Sequence, residues 1–397
     1  MKKSIAIIGG GASALFTASF LDTTKFDVTI YEKKKSVGRK FLVAGDGGFN
    51  LSHGEEIDLM ITRYTPPYFL KNALLNFSND DLRKWLLSIG IPTFVGSSNR
   101  IYPEKGIKPI SVLSKIKQFN IDKGVQFSHN YEWKGWNDKN ELIFNDSTII
   151  KADYTIFSMG GASWKITGSD GAWSSIFSDK SIKTMPFSPA NCAYQIKWKS
   201  EFILKNEGNP LKNIALSCLN KTQKGELVIT KFGLEGNAIY ALSPEIQSQL
   251  SEGKKATIYL DLKPMFTFDD ILKKITSSNY RTTDILKRTL KLSPPQIELL
   301  KTLLSKEEYT NKEILAKKIK ALPLVIESSA LLNEAISTTG GIALNEVNQN
   351  FELNKLKNTF CIGEMLDWNA PTGGYLLQAC FSMGVYVAKH LNKNISN

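Results

Sequence analysis

The chain has 397 residues, 42% hydrophobic and 22% charged, which is enough apolar material for two or three cored domains and an ordinary make-up for a soluble globular protein. Four scattered cysteines without a C-x-x-C pair, and only three histidines, argue against a dithiol centre, a zinc site or a histidine-rich metal site. The net charge of +12 raises a nucleic-acid partner, but the excess is lysine spread at amphipathic spacing, as in Lys33-Lys34-Lys35 and AKKIKAL at 316–322, so a solvated surface is the stronger reading.

The first segment, MKKSIAIIGGGASALFTASFL, could be a secretory signal: two lysines, then an uncharged run from Ser4 to Leu21. Gly9-Gly10-Gly11 would break the apolar helix that a signal needs. The next stretch, FDVTIYEKK at 26–34, alternates and is β-branched, as a strand should be. The order is therefore strand (Ser4–Ile8), glycine turn, helix (about Ser13–Leu21), strand (Val28–Tyr31). The N-terminus is expected to be retained and the protein to be cytoplasmic, with no membrane span.

Within this unit, Gly9-x-Gly11-x-x-Ala14 is a G-x-G-x-x-A fingerprint. Gly9 permits the sharp turn, Gly11 lets backbone N–H groups approach a pyrophosphate, and Ala14 lets the helix lie close on the strand. The positive end of the helix favours the phosphates. Glu32 lies 18 positions beyond Ala14, where a carboxylate can accept ribose hydroxyls. These features predict a bound dinucleotide.

Other segments bear on which dinucleotide. Gly38-Arg39 and the glycine-rich stretch to Gly48 form a long loop near the cofactor, and YTIFSMGG at 154–161 reads as a buried strand ending in small residues. Residues 192–262 hold short alternating segments, and residues 268–320 are lysine-rich with helical spacing. Near the C-terminus the order is strand, Gly363-Glu364, loop, Gly373-Gly374, apolar helix. An acid at a strand end can bond a ribityl hydroxyl, and a Gly-Gly helix start can set backbone N–H groups against the pyrimidine edge of a flavin.

At this point the chain resembles the HI0933-like (BaiN-type) family of FAD-dependent oxidoreductases, within the glutathione-reductase-like flavoprotein group. The segments that carry the resemblance are IAIIGGGASAL, YEKKKSVGRKFLVAGDGGFNLSH, NRIYPEKGIKPISVL, FSMGGASWKITGSDGAW, STTGGIALNEV and CIGEMLDWNAPTGGYLLQACFSMG, in family order. The resemblance implies an α/β fold in which a Rossmann-like FAD-binding domain (1–190 and 336–397) is interrupted by an inserted β-barrel-like domain (191–335). The insert would be β-rich over 191–265, with a nested helical cluster over 266–322.

It also implies roles. Gly9, Gly11 and Ala14 would hold the pyrophosphate and Glu32 the adenosine ribose, with Lys33 flanking the adenine. Arg39 and Lys40 would lie along the cofactor, and Asn50 near the flavin. Gly363 and Glu364 match the family's Gly-acid motif; Gly373, Gly374 and Tyr375 match its GGY at the flavin-facing helix, with Gln378 one turn on. His53 and Tyr102 are the candidate proton donors, because their loops match segments near the flavin in the family. Asp367 and Trp368 could shape a substrate pocket, with packing the stronger reading for Trp368. The glycine loop reads AGDGGFNLSH instead of the family's common SGGGRCNVTN type, which marks a divergent branch.

The cofactor implied is tightly bound, non-covalent FAD. There is no second glycine fingerprint, so NAD(P)H would be a transient donor without a dinucleotide fold of its own. The expected activity is reduction of an activated double bond of a small organic substrate through flavin N5. The alternatives are an FAD dehydrogenase or oxidase passing electrons to oxygen or a quinone, and a flavin-containing nucleic-acid-binding protein.

Overall fold

The structure is a computed structural model that describes residues 1–43, 49–251 and 253–394. The chain divides into two compact units, Met1–Ser188 with Ile336–Asn397, and Pro189–Ala335.

The first unit is built on five parallel strands: β1 (Lys3–Ile8), β2 (Phe26–Glu32), β3 (Gln126–His129), β4 (Tyr154–Phe157) and β5 (Thr359–Cys361). Their spatial order is β5-β4-β1-β2-β3. β1 sits at the centre and reads as an unbroken apolar run, Ile5 to Ile8 being buried, as a strand covered on both faces requires. Helix α1 (Ala12–Phe20) returns the chain from β1 toward β2, and α2 (Pro109–Asp122) and α3 (Tyr375–Asn394) pack beside it. The opening segment is thus a strand, a turn and a helix, with bounds within two residues of those read from the sequence. Among the described residues, no helix is long and apolar enough to cross a membrane.

Tight contacts fix α1. On α3, a side chain at Gly384 would begin 2.5 Å from Ser13 O, so glycine there allows two helices to touch backbone to backbone. Phe16 stacks on Phe381 at 4.0 Å between ring centroids, and Asn120 of α2 donates to Ser19 Oγ at 2.9 Å. Gly384→Leu is expected to force α1 and α3 apart, at about 1–3 kcal/mol from overpacking. A lowered melting temperature checks this.

Two small antiparallel sheets also belong to this unit. Trp133–Trp136, Leu142–Phe144 and Ile149–Ile150 form a meander; Ser52–His53, Arg100–Pro103 and Thr93–Val95 form a second sheet with Arg100–Pro103 in the middle.

The second unit holds a seven-stranded antiparallel sheet, in the order Leu322–Ile326, Ala256–Asp261, Pro210–Cys218, Lys221–Ile229, Gly233–Glu235, Tyr194–Gln195, Ser328–Ser329. The expected barrel is not found: among the described residues no closed barrel is present. The two edges are segments of one chain run, which leaves Ala256–Leu260 after Ile326 and takes up Tyr194–Gln195 from Ser328, through Glu327 N–H donating to Gln195 O. The 191–265 stretch is also less purely β than its alternation suggests, since Ser200–Asn206, Asn237–Tyr240 and Ser243–Leu250 are helical.

Beyond it, the helices Phe268–Thr276 and Lys306–Thr310 each start with a reciprocal capping box, from Thr267/Asp270 and Ser305/Glu308, and at the start of Pro294–Leu303 the Gln296 side chain accepts from Ser293 N–H. In Lys312–Lys320, Leu315, Ala316 and Ile319 face the core, and Lys317 pairs outward with Glu313 at 2.7 Å. That is how an amphipathic helix disposes of its lysines.

Candidate functional site

Ligands of open parallel sheets bind beyond the carboxyl ends of the strands, and the glycine turn after β1 lies there. Its three glycines have three different reasons. Gly9 has φ +94°, and a Cβ on it would sit 2.5 Å from Ser158 O at the end of β4, so the turn admits no side chain. A Cβ on Gly10 would strike Val37; its N–H donates to Glu32 Oε2 at 2.8 Å, and its carbonyl accepts from Gly38 N–H at 2.8 Å. Gly11 has an ordinary φ of −79°, and the nearest atom to a Cβ there is Ser158 O at 3.9 Å. Nothing among the described residues requires glycine at Gly11. The bare space above it, at the start of α1, is where a pyrophosphate would meet main-chain N–H groups.

Ala14 is fully buried under the helix. Glu32 ends β2 with Oε1 accepting from Lys34 N–H and Oε2 from Gly10 N–H, both at 2.8 Å. A carboxylate has about four acceptor sites, so one remains on each oxygen for ribose hydroxyls. Lys33 is held in an ion pair with Asp170 at 2.8 Å.

Arg39 opens the short helix Arg39–Val43, and its Nε is buried with no hydrogen-bond partner among the described residues. Lys40 reaches Glu364 Oε2 at 2.7 Å and Ser163 Oγ at 3.0 Å. Gly363, with φ +77°, brings the end of β5 against α1, where its Cβ would be 2.6 Å from Ser13 Oγ. The fingerprint, the GRK segment and the Gly-acid motif therefore converge on one crevice. Most of the glycine-rich stretch up to Gly48 lies outside the described residues; Asn50 follows it, partly buried.

An open cradle at Gly11, an orphaned guanidinium nitrogen at Arg39 and a ribose-ready carboxylate at Glu32 form a donor set that fits FAD.

The GGY motif builds a second cluster. Gly373 and Gly374 have φ of +113° and +102°, and a Cβ on Gly374 would lie 2.3 Å from the backbone of Ser52. This presses the start of α3 onto the Ser52–His53 strand. The Tyr375 ring stacks on His53 at 4.9 Å, and its hydroxyl donates to Glu55 Oε1 at 2.7 Å. Arg63 also bonds Glu55, with Nη2 3.0 Å from Oε2. Burial pushes the Glu55 carboxyl up, but hydrogen bonds from Arg63 and Tyr375 and the neighbouring positive charge outweigh it, leaving it below its ordinary value. Burial, with further help from Arg100 and Arg63, lowers His53. His53 Nδ1 accepts from Glu55 N–H at 3.3 Å, so the neutral ring carries its proton on Nε2.

Register places the remaining candidates. His53 lies directly opposite Arg100, and Tyr102 opposite Phe94. Opposed residues and residues two apart share a face, so His53, Arg100, Tyr102 and Phe94 occupy one face of the small sheet. Ser52 and Ile101 are buried on the other. Tyr102 stacks on Phe94 at 5.7 Å, and its hydroxyl makes no hydrogen bond among the described residues.

Gln378 is structural, fully buried with bonds to Ser52 Oγ, Phe77 O and Ser382 Oγ. Trp368 is buried and donates to Gly363 O, while Asp367 bonds Gly340 N–H. Sequence reading passed over Glu55, Arg63, Arg100, Ser163 and Asp170. Alternation in RIYP could have put Arg100 on the face of Tyr102; the others carry no local signal.

Two outcomes follow. Gly11→Val should cost the fold no more than about 1 kcal/mol, as a poorer N-cap, yet abolish flavin retention. Gly9→Val must strain a left-handed residue by about 1–3 kcal/mol even before its clash with Ser158. Visible absorbance and apoprotein melting temperature separate the two. The lowered carboxyl of Glu55 contributes stability that is full above its ordinary value of 4.5 and is lost as pH falls through its lower folded value. Glu55→Gln should therefore destabilise by about 1–3 kcal/mol near neutrality, with the gap to the native chain closing in melts below pH 4.5.

The chain matches the family described as the HI0933-like protein Rossmann domain over residues 3–390. It is 26% identical to the 3-dehydro-bile acid delta(4,6)-reductase of Clostridium scindens, covering 96% of this chain and 97% of that protein. To the ribosomal RNA dihydrouridine synthase of Haemophilus influenzae it is 22% identical, covering 98% of each. Among solved structures, 3-ketosteroid delta1-dehydrogenase from Sterolibacterium denitrificans aligns over 99% of this chain and all of that one, at 11% identity and a TM-score of 0.48. With the family match spanning nearly the whole chain, the protein belongs to the HI0933-like family of FAD-dependent oxidoreductases.

Proposed function

We propose that this protein reduces a carbon–carbon double bond conjugated to a carbonyl in a small organic substrate, with NAD(P)H as electron donor. The observation that carries the reading is the shared face of His53, Arg100 and Tyr102, set against the glycine start of the helix that meets the flavin in the family. The bound flavin would supply hydride. The chain's own residues would orient the substrate and deliver a proton.

The relatives support this. One is named for reducing a 3-dehydro bile acid and the other for making dihydrouridine in ribosomal RNA, and both names describe saturation of a double bond. Nucleophilic catalysis by cysteine has no support, since all four cysteines are free and buried and burial pushes Cys380 up to about 12.

Of the two candidate proton donors, Tyr102 is the better placed. His53 accepts from Glu55 N–H on one side and is stacked on Tyr375 on the other, so its part is to position. The Tyr102 hydroxyl is free to face a substrate. The cofactor is taken as tightly bound and non-covalent, and the enzyme as cytoplasmic, where reduced nicotinamides are supplied.

The test is steady-state oxidation of NADH and NADPH across a panel of cyclic enones. Turnover above the oxygen background is expected, and Tyr102→Phe should lower it by about 10²-fold or more with flavin content unchanged. No turnover with any enone, together with fast reoxidation of photoreduced enzyme by air, would instead favour a dehydrogenase or oxidase.

A further inference from the structure

We propose that Arg100 is the oxyanion clamp of the site, hydrogen-bonding the carbonyl oxygen of the substrate and holding the negative charge that gathers there during reduction. This rests on the double-bond reduction proposed above and names the group that activates it.

The argument begins with charge. Around the start of α3 stand Glu55, Arg63, His53 and Arg100. Glu55 and Arg63 neutralise one another through paired hydrogen bonds. His53 is held toward its neutral form by burial. Arg100 makes no ion pair or hydrogen bond through its side chain among the described residues, which leaves the cluster with one uncompensated positive charge.

Position follows from register and from glycine. Arg100 is directly opposite His53 and two residues from Tyr102 on the same face. Its guanidinium passes over the bare side of Gly373, where a Cβ would lie 3.4 Å from Arg100 Nε and 3.7 Å from the Tyr375 ring. The fork therefore lies over the Gly373 turn on a partly buried residue, with its donors unspent among the described residues. Arginine is the side chain whose fixed donors suit a planar oxyanion.

The chemistry closes with these groups. The bound flavin would supply the hydride that makes a C–H bond at the β-carbon. The electron pair of the carbon–carbon π bond moves into a new double bond toward the carbonyl carbon, and the carbonyl π pair moves onto oxygen, beside Arg100. A proton from Tyr102 then adds at the α-carbon and the carbonyl re-forms; the tyrosinate is reprotonated from solvent. The substrate gains two electrons and two hydrogens, one hydrogen with both electrons as the hydride that the flavin would give up and the other as the proton from Tyr102. Donors aimed at a developing oxyanion act mainly in the transition state.

The experiment uses the flavin-loaded enzyme and its Arg100→Gln and Arg100→Lys variants, with 4-nitrophenol as a stable mimic of the enolate. In the native protein, bound 4-nitrophenol should ionise about 1–3 pH units below the free compound, read from its phenolate absorbance. Arg100→Gln should abolish that displacement and lower kcat on an active enone about 10²–10³-fold, with KM changed far less. Arg100→Lys should retain most of the displacement but recover only part of kcat, because it keeps charge without the fork. Should Arg100→Gln fail to fold, the split between phenol titration and kcat in Arg100→Lys still decides. Variants that titrate 4-nitrophenol and turn over like the native enzyme, with enone reduction intact, would overturn the clamp alone. A native enzyme that reduces no enone would overturn the reading on which it rests.

Discussion

The first unit depends on how closely main chain can approach main chain at the carboxyl end of β1. Gly9 brings the turn against Ser158 O, Gly10 lies between Val37 and the carboxylate of Glu32, and Gly363 lets β5 meet the first turn of α1. Each contact removes the room for a side chain. The sum is a close-packed rim of backbone in which, among the described glycines of the turn, Gly11 alone stays open. Because a helix leaves its first N–H groups unbonded, that opening is polar in the sense an anion needs.

A second constraint is electrostatic. Lys33 is matched by Asp170, Lys40 by Glu364 and Arg63 by Glu55, each across 2.7–3.0 Å. These pairs are partly buried, so their worth lies less in net stability than in fixing where each chain segment stands. Lys40–Glu364 ties the helix after β2 to the end of β5. Tyr375, held by Glu55 and by Tyr64 donating to its carbonyl, fixes the start of α3 to the loop after the Ser52–His53 strand.

What was legible in the sequence was local. Strand, turn and helix at the N-terminus could be read because a left-handed Gly9, a bare Gly11 and a small Ala14 are demands made within six residues. The Glu32 carboxylate was legible for the same reason, as the end of the next strand. Lys40 and Glu364 were both singled out, but their pairing across 324 positions was not visible, since nothing in either segment specifies the other. Glu55 and Arg63 were missed altogether, because an acid and a base in loop segments have no periodicity to betray them. The barrel-like layout was implied by the resemblance and not by alternation, and no closed barrel is present among the described residues. Strand pairs of two residues, such as Tyr194–Gln195 with Ser328–Ser329, leave the sheet edges to be joined by a chain that changes partners. The helix Ser243–Leu250 had its own mark in SPEIQSQL, a proline at a helix start, which was outweighed by the strands on either side.

The pairing of cations leads to a last step. Among the described residues, Lys33, Lys40 and Arg63 at the two clusters are matched by carboxylates, and Arg39 and Arg100 are not. A partly buried arginine without an anion is costly to maintain in the folded state, and a ligand that supplies negative charge would relieve that cost at either position. The two lie at different places: Arg39 on the segment tied to the glycine turn, Arg100 over the Gly373 turn. One anion cannot be assumed to answer both. The arrangement fits a permanent anionic group at the first, as in a dinucleotide, and a charge that exists only while the reaction proceeds at the second. On that reading, a single fold keeps one arginine for holding its cofactor and the other for the chemistry of its substrate.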